Sequence, residues 1–125
     1  MKDYIDVKVN HFERCTDKDT FEKIVMYPSL AEMWEHCAKE YADKIAIQDG
    51  GEYTYKTLDE DIAKYRGVLT ANGVAKGDRV CVLVPSRYDF AKIFFAIETL
   101  GAVAVLLPVQ LDEKTIFGCC MKYQL

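Results

Sequence analysis

The residues best placed to do chemistry are Pro85-Ser86-Arg87 and Pro108-Val109-Gln110. Each follows a short apolar run, Val80 to Val84 and Ala102 to Leu107, of the valine- and leucine-rich kind found in strands buried on both faces of a parallel sheet. Open α/β sheets bind ligands outside the carboxyl ends of their parallel strands, which is where both tripeptides fall. Ser86 opens a helix-length segment. The first N–H groups of a helix have no partner within it and its dipole favours negative charge, so Ser86 with Arg87 beside it is a candidate anion site. The same two residues have a plainer reading, Ser86 as a helix cap and Arg87 as an exposed first-turn residue.

Other chemical residue types are accounted for by structure. The glycines of NGVAKGD follow a helix and precede a strand, at the wrong end of the sheet for a ligand. They match neither the dinucleotide fingerprint nor the phosphate loop with its lysine and hydroxyl residue. The carboxylate pairs Glu60 with Asp61 and Asp112 with Glu113 fall in helix first turns, where the macrodipole favours them. The two histidines, His11 and His36, have no nucleophile in a matching context, so a Ser/His/Asp or Cys/His arrangement has no support. At helical spacing His11 and Cys15 would share a face, but a closed zinc site takes about four ligands. The five cysteines, Cys15, Cys37, Cys81, Cys119 and Cys120, are odd in number and hold no Cys-x-x-Cys, so they read as reduced thiols. Cys37 and Cys81 fall on core faces, and the adjacent Cys119 and Cys120 read as packing residues. No catalytic, cofactor-binding or metal-binding residue is assigned.

The elements that position these residues follow from spacing and caps. Between the two apolar runs, Phe90, Ile93, Phe94, Ile97 and Leu100 lie on one helical face, started by Ser86 with Asp89 and stopped by Gly101. The unit is a strand, helix, strand crossover, right-handed by the general rule. Upstream, Ser29 and Glu32 form a capping box ahead of a stripe of Leu30, Met33, Trp34, Cys37, Ala38 and Tyr41. Lys44 to Gln48 and Glu52 to Tyr55 alternate around Asp49-Gly50-Gly51 and predict a hairpin. Thr57 and Glu60 predict a second capping box, for a helix with Leu58, Ile62, Tyr65 and Leu69 inside and Asn72-Gly73 at its end. Asp112 caps a last helix with Ile116, Cys119, Cys120 and Tyr123 at helical spacing. Residues 1 to 27 show no period and read as an N-terminal arm, with Tyr4, Phe12, Phe21 and Tyr27 as anchors.

Composition excludes some partners. With 125 residues, half of them hydrophobic, and a net charge of -4, the chain has one folded domain's worth of core and no electrostatic attraction to nucleic acid or an anionic membrane. No apolar run approaches the roughly twenty residues of a membrane span, and MKDYIDVKVN lacks the apolar core of a signal peptide. The expected location is cytoplasmic. The expected fold class is α/β, a mixed and mostly parallel sheet with flanking helices, incomplete because the helix after the second parallel strand normally leads to a third.

In order, YPSLAEMWEHCAKEYADKIAIQDG and the stretch from YTYKTLDED to AVAVLLP resemble the start of the adenylate-forming (ANL) superfamily, which comprises acyl-CoA synthetases, peptide-synthetase adenylation domains and luciferases. Thr54-Tyr55 with Leu58 look like its first core motif, Leu100-Gly101-Ala102 through Leu107-Pro108 look like its second, and Gly77-Asp78-Arg79-Val80 fits the linking strand. The resemblance implies an arm (1–27) and a partial N-terminal α/β subdomain (28–125) of an AMP-dependent synthetase/ligase. A full-length relative would use ATP, magnesium and coenzyme A to activate a carboxylic acid through an acyl adenylate. The two motifs present are mainly structural in the family, so this part alone is expected to be non-catalytic, with the remainder of the parent enzyme as its partner. Two other readings stay open: an interaction module that self-associates through an exposed sheet edge, and a small anion- or nucleotide-binding domain centred on Ser86 and Arg87.

Overall fold

Each of the described helices from Leu30 onward in this computed structural model begins at a side-chain cap that the local sequence supplies. The structure describes residues 25–125 together with Asp17, Asp19, Thr20 and Lys23. Tyr4, Phe12, Phe21, His11 and Cys15, and with them most of the arm, lie outside the described residues. Helix α1 (Leu30–Glu40) starts at Ser29, whose hydroxyl oxygen accepts from the Glu32 N–H at 3.2 Å and donates to the Glu32 carboxylate at 3.3 Å. A hairpin follows, β1 (Ile45–Gln48) antiparallel to β2 (Glu52–Thr54), with a bulge between Ile45 and Ile47. Gly50 turns its tip at φ 67°, a left-handed conformation that glycine reaches without a Cβ clash.

Helix α2 (Tyr55–Ala71) leaves the hairpin with no loop between. Its cap is Thr54, whose hydroxyl oxygen accepts from the Thr57 N–H at 3.1 Å. The expected box of Thr57 with Glu60 is therefore replaced by a simple cap three residues earlier, because the last strand residue is already extended and a threonine there meets both requirements of a cap. The inner face is as expected, with Leu58 and Ile62 buried and Tyr65 and Leu69 packed beside them.

Strand β3 (Arg79–Val82), helix α3 (Arg87–Leu100) and strand β4 (Val103–Leu106) form the crossover, with β3 and β4 parallel in the register Arg79 to Val103 through Val82 to Leu106. Gly101 ends α3 at φ 73°, a left-handed conformation that calls for glycine, with the exposed Lys76 side chain 3.1 Å from where a Cβ would stand. Helix α4 (Glu113–Tyr123) starts at Asp112, which accepts from the Thr115 N–H at 3.0 Å. The class is mixed α/β, and among the described residues the hairpin and the parallel pair are separate two-stranded sheets. No described helix is long and apolar enough to cross a membrane.

Two cores meet on α3. Trp34, Leu58, Ile62, Tyr88 and Ala96 form one, where α1, α2 and the hairpin meet; Val82, Ile97 and Ala102 form the other, against the parallel pair. The sequence pattern predicts one buried face of α3, and the structure shows two. Phe90, Ile93, Ile97 and Leu100 face the strands, while Tyr88, Ala91, Phe95 and Ala96 face the other helices. A helix apolar nearly all round is one held between layers. Leu30, expected in the buried stripe of α1, is 43% exposed at the helix start.

Candidate functional site

The α3 N-terminus lies at the carboxyl end of β3, as the crossover requires, and Ser86 is its cap. The Ser86 hydroxyl oxygen accepts from the Asp89 N–H at 3.1 Å and donates to the Asp49 carboxylate at 3.1 Å. The same Asp49 oxygen accepts from the Tyr88 N–H at 3.1 Å. The place where a helix start would hold an anion is thus filled by a carboxylate of this chain, carried there by the tip of the β1–β2 hairpin. The Tyr88 amide first, then the Ser86 hydroxyl, hold the Asp49 carboxyl below its ordinary value against a smaller opposing effect of burial, and the amide and charge of Arg87 add to the lowering. Ser86 and Arg87 come together as the sequence predicts, but with an internal partner. The reading of this corner as an anion- or nucleotide-binding site is corrected on that ground.

A second polar cluster adjoins the first. Tyr88 donates its phenolic proton to Asp61 at 2.6 Å and stacks on Tyr53 at 3.7 Å between centroids. Burial, followed by the hydrogen bond to Asp61, pushes the Tyr88 phenol well above its ordinary value. Lys64, at 2.8 Å, and then the Tyr88 hydroxyl lower the Asp61 carboxyl. Lys92 pairs with Asp89 at 2.7 Å and lies 5.6 Å from the Tyr88 ring centre. Across the core, Trp34 donates its indole N–H to Asp59 at 2.7 Å. These groups are paired with one another, so they fix α2, α3 and the hairpin in place.

The remaining candidates separate. Pro108-Val109-Gln110 form an exposed turn closed by the Leu111 N–H on the Pro108 carbonyl at 3.3 Å. Glu60 is exposed while Asp61 holds Tyr88, and Asp112 is a cap. His36 is exposed, its ring 5.4 Å from that of Tyr27. Cys37, Cys81, Cys119 and Cys120 are half-buried free thiols. Among the described residues no three His, Cys, Asp or Glu side chains are placed to hold a metal ion. Two clefts flank Trp34: one of about 450 Å³ among Glu35, Lys39, Asp59 and Arg66, and an apolar one of about 210 Å³ among Met33, Cys37, Ile47, Leu58 and Phe95. The sequence reading missed Asp49, Asp59 and Tyr53. Asp-Gly-Gly marked Asp49 as a turn residue, but nothing local marks its partner 37 positions away.

The motif residues serve the scaffold. Thr54 is a cap, Leu58 is core, Gly101 is a left-handed stop, and Arg79 with Val80 begins the strand paired to Val103 and Ala104. Fold and motifs together define an N-terminal α/β part of an adenylate-forming protein. The family described as AMP-binding enzyme matches residues 34–122, and the chain belongs to it. It is 39% identical over 92 residues to the medium-chain fatty-acid–CoA ligase of Escherichia coli K12, covering 71% of this chain and 16% of that protein. With the long-chain-fatty-acid–CoA ligase of Salmonella typhimurium it is 35% identical over 81 residues, 63% of this chain and 14% of that one. The chain therefore spans about a sixth of the length of the curated relatives it matches. Among solved structures, the N-terminal domain of FACL13 from Mycobacterium tuberculosis superposes with TM-score 0.71 at 28% identity, over 75% of this chain and 25% of that one. The Klebsiella oxytoca NpsA N-terminal subdomain shares the fold, with TM-score 0.71 at 21% identity, over 74% of this chain and 24% of that one.

Proposed function

We propose that this chain is the scaffold portion of an ATP-dependent carboxylic acid:CoA ligase that works through an acyl adenylate, with a fatty acid as substrate class. In this reading residues 1–27 are an arm, residues 28–125 are part of the N-terminal subdomain, and no residue here is catalytic, cofactor-binding or metal-binding. One observation carries it: the residues that mark the family, Thr54, Leu58 and Gly101, all serve caps, core and turns. ATP, magnesium and coenzyme A belong to the rest of a full-length relative. The start of α3 does not fit a nucleotide phosphate, because it already holds Asp49. The enzyme works in the cytoplasm, and the partner of this part is the remainder of the parent enzyme.

The test is a chimera in which residues 34–122 replace the matching segment of the E. coli medium-chain ligase. Acid-dependent ATP–pyrophosphate exchange by the folded chimera, with none from the isolated chain, is the expected result. Exchange by the isolated chain, or a folded but silent chimera, refutes it. A second reading, self-association through a sheet edge, is favoured by the exposed Val103 and Leu106 on β4 and by Phe117 and Met121 on α4. A concentration-independent monomer in size-exclusion chromatography disposes of that reading.

A further inference from the structure

Strand β3 alternates its sides. Val80 and Val82 pack against α3, so Arg79, Cys81 and Leu83 point to the opposite face of the parallel pair, the side on which α4 lies. The Arg79 guanidinium donates to the Tyr123 carbonyl at 3.1 Å, which ties the end of α4 to the start of β3. One step of two along the strand from Arg79 is Cys81. One turn back along α4 from Tyr123 is Cys120, on the stripe Ile116, Cys120, Tyr123. The strand and helix registers counted from the Arg79–Tyr123 contact set Cys81 and Cys120 at one level of it; in keeping with that, burial first, and then Cys120, with Cys119 less, raise the Cys81 thiol above its ordinary value. Both are half-buried, so a small reagent can reach them. The other stripe of α4, Phe117 and Met121, is 67% and 66% exposed, so this helix is covered along one side at most.

We propose that Cys81 and Cys120 form a redox-active dithiol that a small disulfide such as oxidised glutathione converts to a disulfide clamping α4 to β3. Cys120, as thiolate, attacks one sulfur of the small disulfide and expels one glutathione. Cys81 then gives up its proton and attacks the Cys120 sulfur of the mixed disulfide, expelling the second. One S–S bond is broken and one is formed, the protein loses two electrons and two protons, and two glutathione thiols carry them away. Cys120 rather than Cys119 is the partner because it shares the stripe of Ile116 and Tyr123, while successive helical side chains diverge by about 100°. In a reducing cytosol such a bond is transient, the pattern of a redox-sensing pair. This inference stands apart from the proposed ligase role.

Trypsin leaves Cys81 on the peptide Val80–Arg87 and both Cys119 and Cys120 on Thr115–Lys122. Reduced protein is treated with oxidised glutathione, alkylated, digested and mapped by mass spectrometry, in buffer and in concentrated urea. The expected product in buffer joins the two peptides, persists in Cys119→Ser, and is lost in Cys81→Ser and in Cys120→Ser. In urea that preference disappears. The proposal is overturned if the dominant bond joins Cys119 to Cys120, if the cross-link survives Cys120→Ser, if Cys15 or Cys37 captures the bond, or if no protein disulfide forms.

Discussion

Leu58 gives the sharpest test of the claim that the family-marking residues are scaffold. It is 1% exposed and sits among Trp34, Ile62 and Tyr88 at the junction of the helices and the hairpin. Leu58→Ala removes three carbons' worth of buried surface, about 2.5 kcal/mol at about 0.8 kcal/mol per buried methylene. The void left behind adds to this, and its wall already borders the apolar cleft of about 210 Å³, which cannot collapse without moving Met33 or Phe95. The sum is about 3–4 kcal/mol, inside the usual range for leucine truncation. The chain has a single tryptophan, Trp34, packed in this same core, so its fluorescence reports the transition directly. With a urea slope of about 1–3 kcal/mol/M, the midpoint falls by about 1–4 M at unchanged slope. Leu58→Met, which conserves volume, costs less than about 1.5 kcal/mol. A loss below about 1 kcal/mol for alanine would refute the packing, since that is the cost of an ordinary, non-core substitution.

Two further predictions concern protons. Asp49 has a folded-state pKa below its ordinary 3.8, so its charge stabilises the fold above that value and ceases to as pH falls through the native one. Urea midpoints of Asp49→Asn, which keeps an acceptor but no charge, lie below those of the parent at neutral pH, and the gap closes in acid; a gap independent of pH sinks the assignment. Tyr88 is shifted the other way, above its ordinary 10.0, so its contribution is complete below that value and is lost as pH rises. In an alkaline absorbance titration one of the eight tyrosines ionises last, and Tyr88→Phe deletes that step; an unchanged late step refutes the hydrogen bond to Asp61.

Local features were legible in the sequence because their causes are local. Ser29, Ser86 and Asp112 cap the helices they were expected to cap, and Gly101 stops α3, because a hydroxyl or carboxylate next to free N–H groups, or a glycine after the last turn, acts within four residues. The start of α2 was misplaced because a strand residue doubles as its cap, so no loop marks the boundary. The second buried face of α3 was invisible because the period of a helix held between two layers is blurred by apolar residues on both sides. The candidate anion site was legible in its helix start and serine, and illegible in its occupant. Only the folded chain brings Asp49 to Ser86, just as only the fold pairs Trp34 with Asp59.

The central helix belongs to both cores through adjacent residues, Ala96 on one side and Ile97 on the other. Neither half can therefore melt while the other keeps its shape, because freeing one side of α3 strips the helix of half the contacts that keep it wound. Heat or denaturant should meet a single cooperative unit, and backbone amides in the hairpin and in the parallel pair should exchange with solvent through one common opening.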